Sequence, residues 1–140
     1  KDSTAINGFN DLANSKVRAV ALGEPGSVPC GQYSDEVLKF FGILDKIKAK
    51  SVLAKDVREV LTWVETQNAD AGLVYKTDAL VSQKVKIAAV APAESHSLIV
   101  YPAALIKGSR STDAAKEFLS FLSNSKAKAV FERYGFSTKT

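Results

Sequence analysis

The chain has 140 residues, of which 46% are apolar and 24% charged, with a formal net charge of +4. This length and composition are sufficient to bury a core in one domain with a small appendage, and they exclude a low-complexity chain. The basic residues occur singly, without the interleaved aromatics of nucleic-acid-binding proteins, which argues against a nucleic-acid partner. No apolar stretch approaches the ~20 residues that span a bilayer. Since neither a signal peptide nor an initiator methionine is present, we expect a processed product or a piece of a longer protein.

In chain order, the first half is predicted to alternate strands with helices. Short apolar runs predict strands at residues 17–22, 51–54, 71–75 and 85–90. Apolar residues at helical spacing predict helices at residues 31–41, 43–50, 57–64 and 77–82, with Gly42 ending the first and Asp56 capping the third. This alternation implies an α/β fold with a mostly parallel sheet that helices cover on both faces.

The pattern changes after residues 92–97. An apolar run at 98–106 is interrupted by Pro102, and two amphipathic helices follow it. Their predicted buried residues are Ala115, Phe118, Leu119 and Leu122 in the first, and Ala127, Val130, Phe131 and Tyr134 in the second. We therefore divide the chain into residues 1–100, which form the α/β unit, and residues 101–140, which complete it or belong to a neighbouring lobe.

Three short segments at predicted helix starts or strand ends indicate a binding site. Residues 27–31 and 55–58 place backbone N–H groups at helix N-termini, where the helix dipole favours an anion. Residues 72–75 end an apolar run with a phenol hydroxyl, which is a neutral donor. The three segments together predict an anion site built from neutral donors.

The sequence carries no pattern typical of catalysis. It has no glycine-rich phosphate loop, no nucleophile elbow and no His/Cys metal spacing, and His96 is its one histidine, so we predict neither an enzyme nor a metal site. Asp56 is interpreted as a helix cap rather than a general base, His96 as a solvated turn residue, and Trp63 as a residue in the core or at its edge. The single Cys30 permits no internal disulfide.

Four motifs spread along the chain carry a family resemblance. They are Gly-Glu-Pro-Gly-Ser-Val-Pro-Cys-Gly-Gln-Tyr at 23–33, Ala-Lys-Asp-Val-Arg at 54–58, Ala-Asp-Ala-Gly-Leu-Val-Tyr at 69–75 and Ser-His-Ser-Leu-Ile-Val-Tyr-Pro at 95–102. Together with Phe-Glu-Arg-Tyr-Gly-Phe at 131–136, they resemble the molybdate-binding proteins of bacterial ABC transporters over nearly the whole chain.

The resemblance implies one lobe of a type II periplasmic-binding-protein fold. By the same resemblance, residues 101–140, a crossover strand and two C-terminal helices, return to a first lobe that this chain lacks. It also implies a periplasmic or lipid-anchored protein that binds molybdate or tungstate, without a cofactor, and delivers it to an ABC permease. The family's site positions fall on Cys30 and Val57, each giving a backbone N–H, and on Tyr75, giving its hydroxyl.

Two departures from the family pattern bear on binding. The family usually has alanine where Cys30 stands, and a thiol at a helix N-terminus is expected to have a lowered pKa, so that a thiolate would repel a dianion. The donors of the first lobe are absent, so we expect the chain to bind its anion weakly.

Two alternatives remain open from the sequence. A ligand-sensing domain of a transcription regulator shares this kind of α/β architecture. A structural fragment that binds nothing is the other alternative. Aromatic residues exposed on it would favour a dimer of the fragment, and the candidates are Phe118, Phe121, Phe131 and Tyr134.

Overall fold

The computed structural model describes residues 6–138, and a three-stranded parallel sheet lies at its centre. The strands are β1 (Val20–Gly23), β2 (Ser51–Ala54) and β3 (Ala71–Gly72), in the order β2-β1-β3. β1 pairs in register with β2 up to Gly23 opposite Ala54, and with β3 at Val20 opposite Ala71 and Ala21 opposite Gly72. All three carboxyl ends therefore lie at one edge of the sheet.

Helices connect and flank the strands. Within the described residues they are α1 (Pro29–Phe40), α2 (Leu44–Lys48), α3 (Val57–Glu65), α4 (Lys76–Leu80), α5 (Thr112–Leu122) and α6 (Ser125–Arg133). Short 3₁₀ turns occur at Phe9–Ala13 and Ala93–Ser95.

The core has two apolar clusters on opposite faces of β1, because successive strand side chains point to opposite faces. On one face, Val20 and Leu22 pack with residues before β1 and from α1 and α2, namely Ile6, Leu12, Val17, Leu38, Ile43 and Ile47. On the other face, Ala21 packs with Ala54, Val60 and Ala69, and Trp63 lies against this cluster. The predicted α/β fold with helices on both faces is confirmed, as is the core position of Trp63.

Local sequence signals explain the helix ends. α1 begins at Pro29, two residues before the predicted start, because proline at the first helical position loses no intrahelical hydrogen bond. It is followed by Gly42 at φ +66°, a conformation that favours glycine. The Asp56 carboxylate accepts a hydrogen bond from the Glu59 N–H at 2.8 Å, which confirms Asp56 as the N-cap of α3.

Three strand predictions differ from the structure. β3 ends at Gly72 rather than at residue 75. β1 begins at Val20 rather than at residue 17, because the N–H groups of Arg18 and Ala19 donate to the Asp70 carboxylate instead of to a neighbouring strand. Residues 85–90 form no strand in the described part of the chain. Most of these side chains are exposed, and an apolar run becomes a strand only when another strand satisfies its backbone groups.

The chain divides into two compact units, one ending at Leu98 and one starting at Ile99. In the second unit α5 and α6 form as predicted, but the predicted crossover strand does not form among the described residues 101–138. Ala127 is buried, but Phe118 is 60% exposed and Val130 and Tyr134 are each 54% exposed, so the prediction that these three are buried was wrong. No described helix has the length and apolarity required to cross a membrane.

Candidate functional site

The candidate site lies at the carboxyl edge of the sheet, where each strand leads into a helix N-terminus. β1 leads to α1, β2 to α3 and β3 to α4. The chain passes from β1 to β2 on one side and then crosses to β3 on the other side. Open α/β sheets bind ligands in the crevice that such a change of direction creates beyond the carboxyl ends.

At the start of α1, the backbone of Cys30 is a donor without an intrahelical acceptor. The Val28 carbonyl accepts from the N–H groups of Gly31 and Gln32, at 2.9 and 3.4 Å, and Cys30 precedes both. The Cα of Gly31 faces the carbonyl of Gly23 so closely that a Cβ would overlap it. This contact holds the first turn of α1 directly against the end of β1.

The Cys30 side chain is buried and neutral. Burial raises the pKa of its thiol from 9.0 to about 11, with a smaller contribution in the same direction from Asp78, although the Ser34 hydroxyl acts to lower it. The thiol donates to the Leu73 carbonyl at 3.5 Å. The lowered pKa expected from the helix N-terminus was therefore wrong, because desolvation of the thiol outweighs the hydrogen bond with Ser34. At neutral pH no thiolate is present to repel an anion.

At the start of α3, Val57 occupies the first helical position. The Asp56 carboxylate and carbonyl accept from Glu59 and Val60, and the N–H of Val57 has no acceptor within the helix. The Glu24 N–H donates to the Ala54 carbonyl at 2.8 Å, which ties the loop after β1 to the end of β2. The two helix N-termini thus follow neighbouring strand ends.

Tyr75 follows β3 and is the N-cap residue of α4. Its half-buried ring meets the ring of Tyr33 edge to face, with the centroids 6.4 Å apart. Together with the Cys30 to Leu73 hydrogen bond, this contact joins the first half of α1 to the segment after β3. The structure therefore brings Cys30 and Tyr75 to neighbouring segments, and it places Val57 at the same sheet edge through the register of β1 and β2.

Two charged side chains of opposite sign lie near these segments. Burial raises the pKa of the Asp78 carboxyl, and the Arg58 guanidinium opposes that change. Asp78 lies on α4, and Arg58 on the first turn of α3. The positive charge of Arg58 is therefore partly offset by the nearby carboxyl of Asp78.

Comparisons with known proteins identify the family to which the chain belongs. Residues 1–137 match the profile of the family described as bacterial extracellular solute-binding proteins. The chain belongs to this family.

Its relatives extend well beyond the region they share with this chain. A Bacillus subtilis protein described as an ABC transporter substrate-binding lipoprotein is 49% identical over 96% of this chain and 51% of the relative. The molybdate-binding protein of Haemophilus influenzae is 45% identical over 86% of this chain and 47% of that protein. The chain thus spans about half the length of these relatives.

Solved structures show the same fold. A Clostridium difficile structure, described as the substrate-binding domain of a molybdenum ABC transporter, has a TM-score of 0.84 at 43% identity. It covers 97% of this chain and 59% of the other. The periplasmic molybdate-binding protein of Azotobacter vinelandii has a TM-score of 0.82 at 26% identity. This match covers 100% of this chain and 62% of the Azotobacter protein. The fold of this chain is therefore that of one lobe of a periplasmic binding protein.

Sequence reasoning missed Tyr33 as a residue near the site. Tyr33 lies three residues after Cys30 on α1, and that spacing places both on one helix face, which was the available signal. His96 was expected to be solvated, but its ring is half-buried and lies 6.2 Å from the Tyr33 ring. Within residues 6–138, no three His, Cys, Asp or Glu side chains form a group that could hold a metal ion.

Proposed function

We propose that this chain supplies part of a binding site for a tetrahedral oxyanion, molybdate or tungstate. The backbone N–H groups of Cys30 and Val57 and the hydroxyl of Tyr75 are the proposed donors. The observation that carries the proposal is the position of two helix N-termini and one phenol at the same carboxyl edge of a parallel sheet. The names of the relatives from Haemophilus influenzae and Azotobacter vinelandii support molybdate as the anion.

Neutral donors suit an anion carrier. Fixed N–H and O–H dipoles hold a dianion by charge-assisted hydrogen bonds, and no counter-charge has to be desolvated with it. Molybdate and sulfate carry the same charge, so donors of this kind discriminate between them by the size of the cavity and the spacing of the donors. The buried neutral thiol of Cys30 is compatible with this arrangement because it adds no negative charge.

The proposed donors set an upper limit to the affinity of the chain. Three charge-assisted hydrogen bonds at about 1.5–3 kcal/mol each contribute about 5–9 kcal/mol in all. A Kd of 1 μM corresponds to about 8 kcal/mol. The upper end of that range, about 9 kcal/mol, corresponds to a Kd of about 0.3 μM. We therefore expect this chain to bind molybdate with a Kd of about 0.3 μM or weaker, the remaining donors lying in a further part of a longer protein.

The wider role we propose is delivery of the oxyanion to an ABC permease. The family description places its members outside the cell, and the Bacillus subtilis relative is described as a lipoprotein of an ABC transporter. A periplasmic or lipid-anchored location and a permease partner follow for the longer protein. In the full protein, residues 101–140 are proposed to pack on the other lobe.

Isothermal titration of this chain with molybdate, and with sulfate as the competing anion, tests the proposal. We expect saturable molybdate binding, weaker binding of sulfate, and a loss of about tenfold or more in the Tyr75→Phe variant. Absence of molybdate binding, or equal binding by Tyr75→Phe, would contradict the proposed site. A chain that binds no anion would instead agree with the structural-fragment alternative, and sedimentation would then show whether it dimerises.

A further inference from the structure

A row of three rings extends from the proposed site across the face of α1. The Tyr33 ring lies between Tyr75 and His96, with centroid distances of 6.4 and 6.2 Å and interplanar angles of 64° and 74°. Both are edge-to-face arrangements, which aromatic pairs prefer. All three side chains are half-buried, so each ring is partly held by protein and partly open to water.

The outer end of this row is tied to α1 by hydrogen bonds. The backbone N–H and the hydroxyl of Ser97 both donate to the Glu36 carboxylate, at 2.5 and 3.1 Å. Glu36 lies one turn after Tyr33, on the same helix face. The Nδ1 of His96 lies 2.9 Å from the Ser97 carbonyl, which can only accept, so Nδ1 is the donor and the orientation of the imidazole is set.

We propose that Tyr33 is a positioning residue for Tyr75. Its ring, supported by His96 and by the bonds between Ser97 and Glu36, restricts the Tyr75 ring and thereby directs the Tyr75 hydroxyl into the site. The role of that hydroxyl rests on the proposed function, whereas the orientation of the ring does not. A donor held in one orientation before the anion arrives loses less conformational entropy on binding, so Tyr33 raises affinity without touching the anion.

Variants at Tyr33 separate the ring from its hydroxyl. Tyr33→Leu removes the edge-to-face contact, whereas Tyr33→Phe keeps the ring. Tyr134→Leu is the matched control, because Tyr134 lies on α6 and is exposed. The chain has four tyrosines, so 3-fluorotyrosine labelling gives four ¹⁹F signals, and Tyr75→Phe identifies the signal of Tyr75.

The ¹⁹F spectrum is recorded without anion, and molybdate affinity is then measured for each variant. We expect Tyr33→Leu to move or broaden the Tyr75 signal and to weaken molybdate binding about 3- to 10-fold. Tyr33→Phe and Tyr134→Leu should leave the Tyr75 signal and the molybdate affinity unchanged. A Tyr75 signal that is unchanged in Tyr33→Leu would overturn the proposal.

Two further outcomes are distinct from that result. If the parent chain binds no molybdate, the proposed function fails, yet the ¹⁹F signal still reports whether Tyr33 restricts the Tyr75 ring. If Tyr33→Leu does not fold, Glu36→Ala combined with Ser97→Ala removes the support at the surface, because alanine at residue 36 leaves no acceptor for the Ser97 N–H. That double variant should broaden the same Tyr75 signal, and an unchanged signal there would also contradict the proposal.

Discussion

Gly31 at the start of α1 packs against the carbonyl group of Gly23 at the end of β1. A Cβ on Gly31 would overlap the Gly23 carbonyl, and it would lie 3.0 Å from the carbonyl carbon of Glu24. Both obstacles are backbone atoms, which cannot rotate away as a side chain can. The absence of a side chain at Gly31 therefore determines how closely the helix N-terminus, with the Cys30 N–H, approaches the end of the strand.

We expect Gly31→Ala to lower the free energy of unfolding by about 1–3 kcal/mol, because either the first turn of α1 or the end of β1 must shift. Urea unfolding followed by circular dichroism measures this change. Gly26→Ala, in the loop that precedes α1, is the matched control, since its Cβ would meet only the Glu24 carboxylate, at 3.8 Å. Equal stability of the two variants would show that α1 and β1 do not require this close approach.

The backbone donor at Val57 can be removed without disrupting α3. Proline fits the first helical position, and Asp56 before it has the extended backbone that a residue preceding proline adopts, with φ −156° and ψ 167°. Val57→Pro loses the N–H, whereas Val57→Ala keeps it, and both lose the branched side chain. We expect Val57→Pro to bind molybdate about tenfold or more weakly than Val57→Ala by isothermal titration. Equal affinities would exclude the Val57 N–H as a donor.

The raised pKa of Cys30 predicts low reactivity. With a pKa of about 11, the thiol is protonated at pH 8, so folded protein should react with iodoacetamide much more slowly than protein unfolded in urea. Equal rates would contradict its burial.

The Cys30 thiol also makes a contribution to stability that depends on pH. The folded state holds the thiol proton more tightly than the unfolded state. The contribution is therefore complete below the ordinary thiol pKa of 9.0 and is lost as the pH rises through about 11. The stability difference between the parent chain and Cys30→Ala should accordingly shrink between pH 8 and pH 11. Urea unfolding at the two pH values measures it, and a constant difference would show that the thiol pKa is not raised.

The Asp70 carboxyl is expected to make stability depend on pH in the opposite direction, and at acid pH. Burial acts to raise the pKa of its carboxyl. The backbone N–H groups of Arg18 and Ala19, at 2.6 and 3.1 Å, and the charges of Arg18 and Lys50 outweigh that effect, so the pKa is lowered. Its stabilising effect is thus present above the pKa of an unfolded aspartate, about 3.9, and is lost as the pH falls through the lower folded value.

We expect Asp70→Asn to lower the free energy of unfolding at pH 7 by about 1–3 kcal/mol. The difference from the parent chain should diminish at pH 2–3, where the Asp70 carboxyl is increasingly protonated. Asp45→Asn, at an exposed position on α2, is the control for removing a carboxylate from this unit. A difference that is the same at pH 7 and at acid pH would contradict the role assigned to the Asp70 charge.

Features that depend on neighbours in sequence were predictable. The Asp56 cap, the strand Ser51–Ala54 and the glycine stop at Gly42 depend on residues within one or two turns, so the local pattern was sufficient to identify them. The family was also identified from sequence, because its motifs surround strand ends and helix starts that occur in a set order along the chain.

Contacts between segments that are distant in sequence could not be predicted and depend on the tertiary structure. The sequence alone placed the Cys30 thiol at a helix N-terminus and suggested a lowered pKa. The fold buries that thiol against Leu73, 43 residues away, and burial raises the pKa instead. Tyr33 and Tyr75 meet in the same way, through the packing of α1 beside the segment after β3. Residues 85–90 have the composition of a strand, but a strand also requires a partner, and the local pattern carries no information about one. The sequence by itself thus determined the local elements and the family, whereas desolvation, ring contacts and strand pairing depended on which distant segments the tertiary structure brought together.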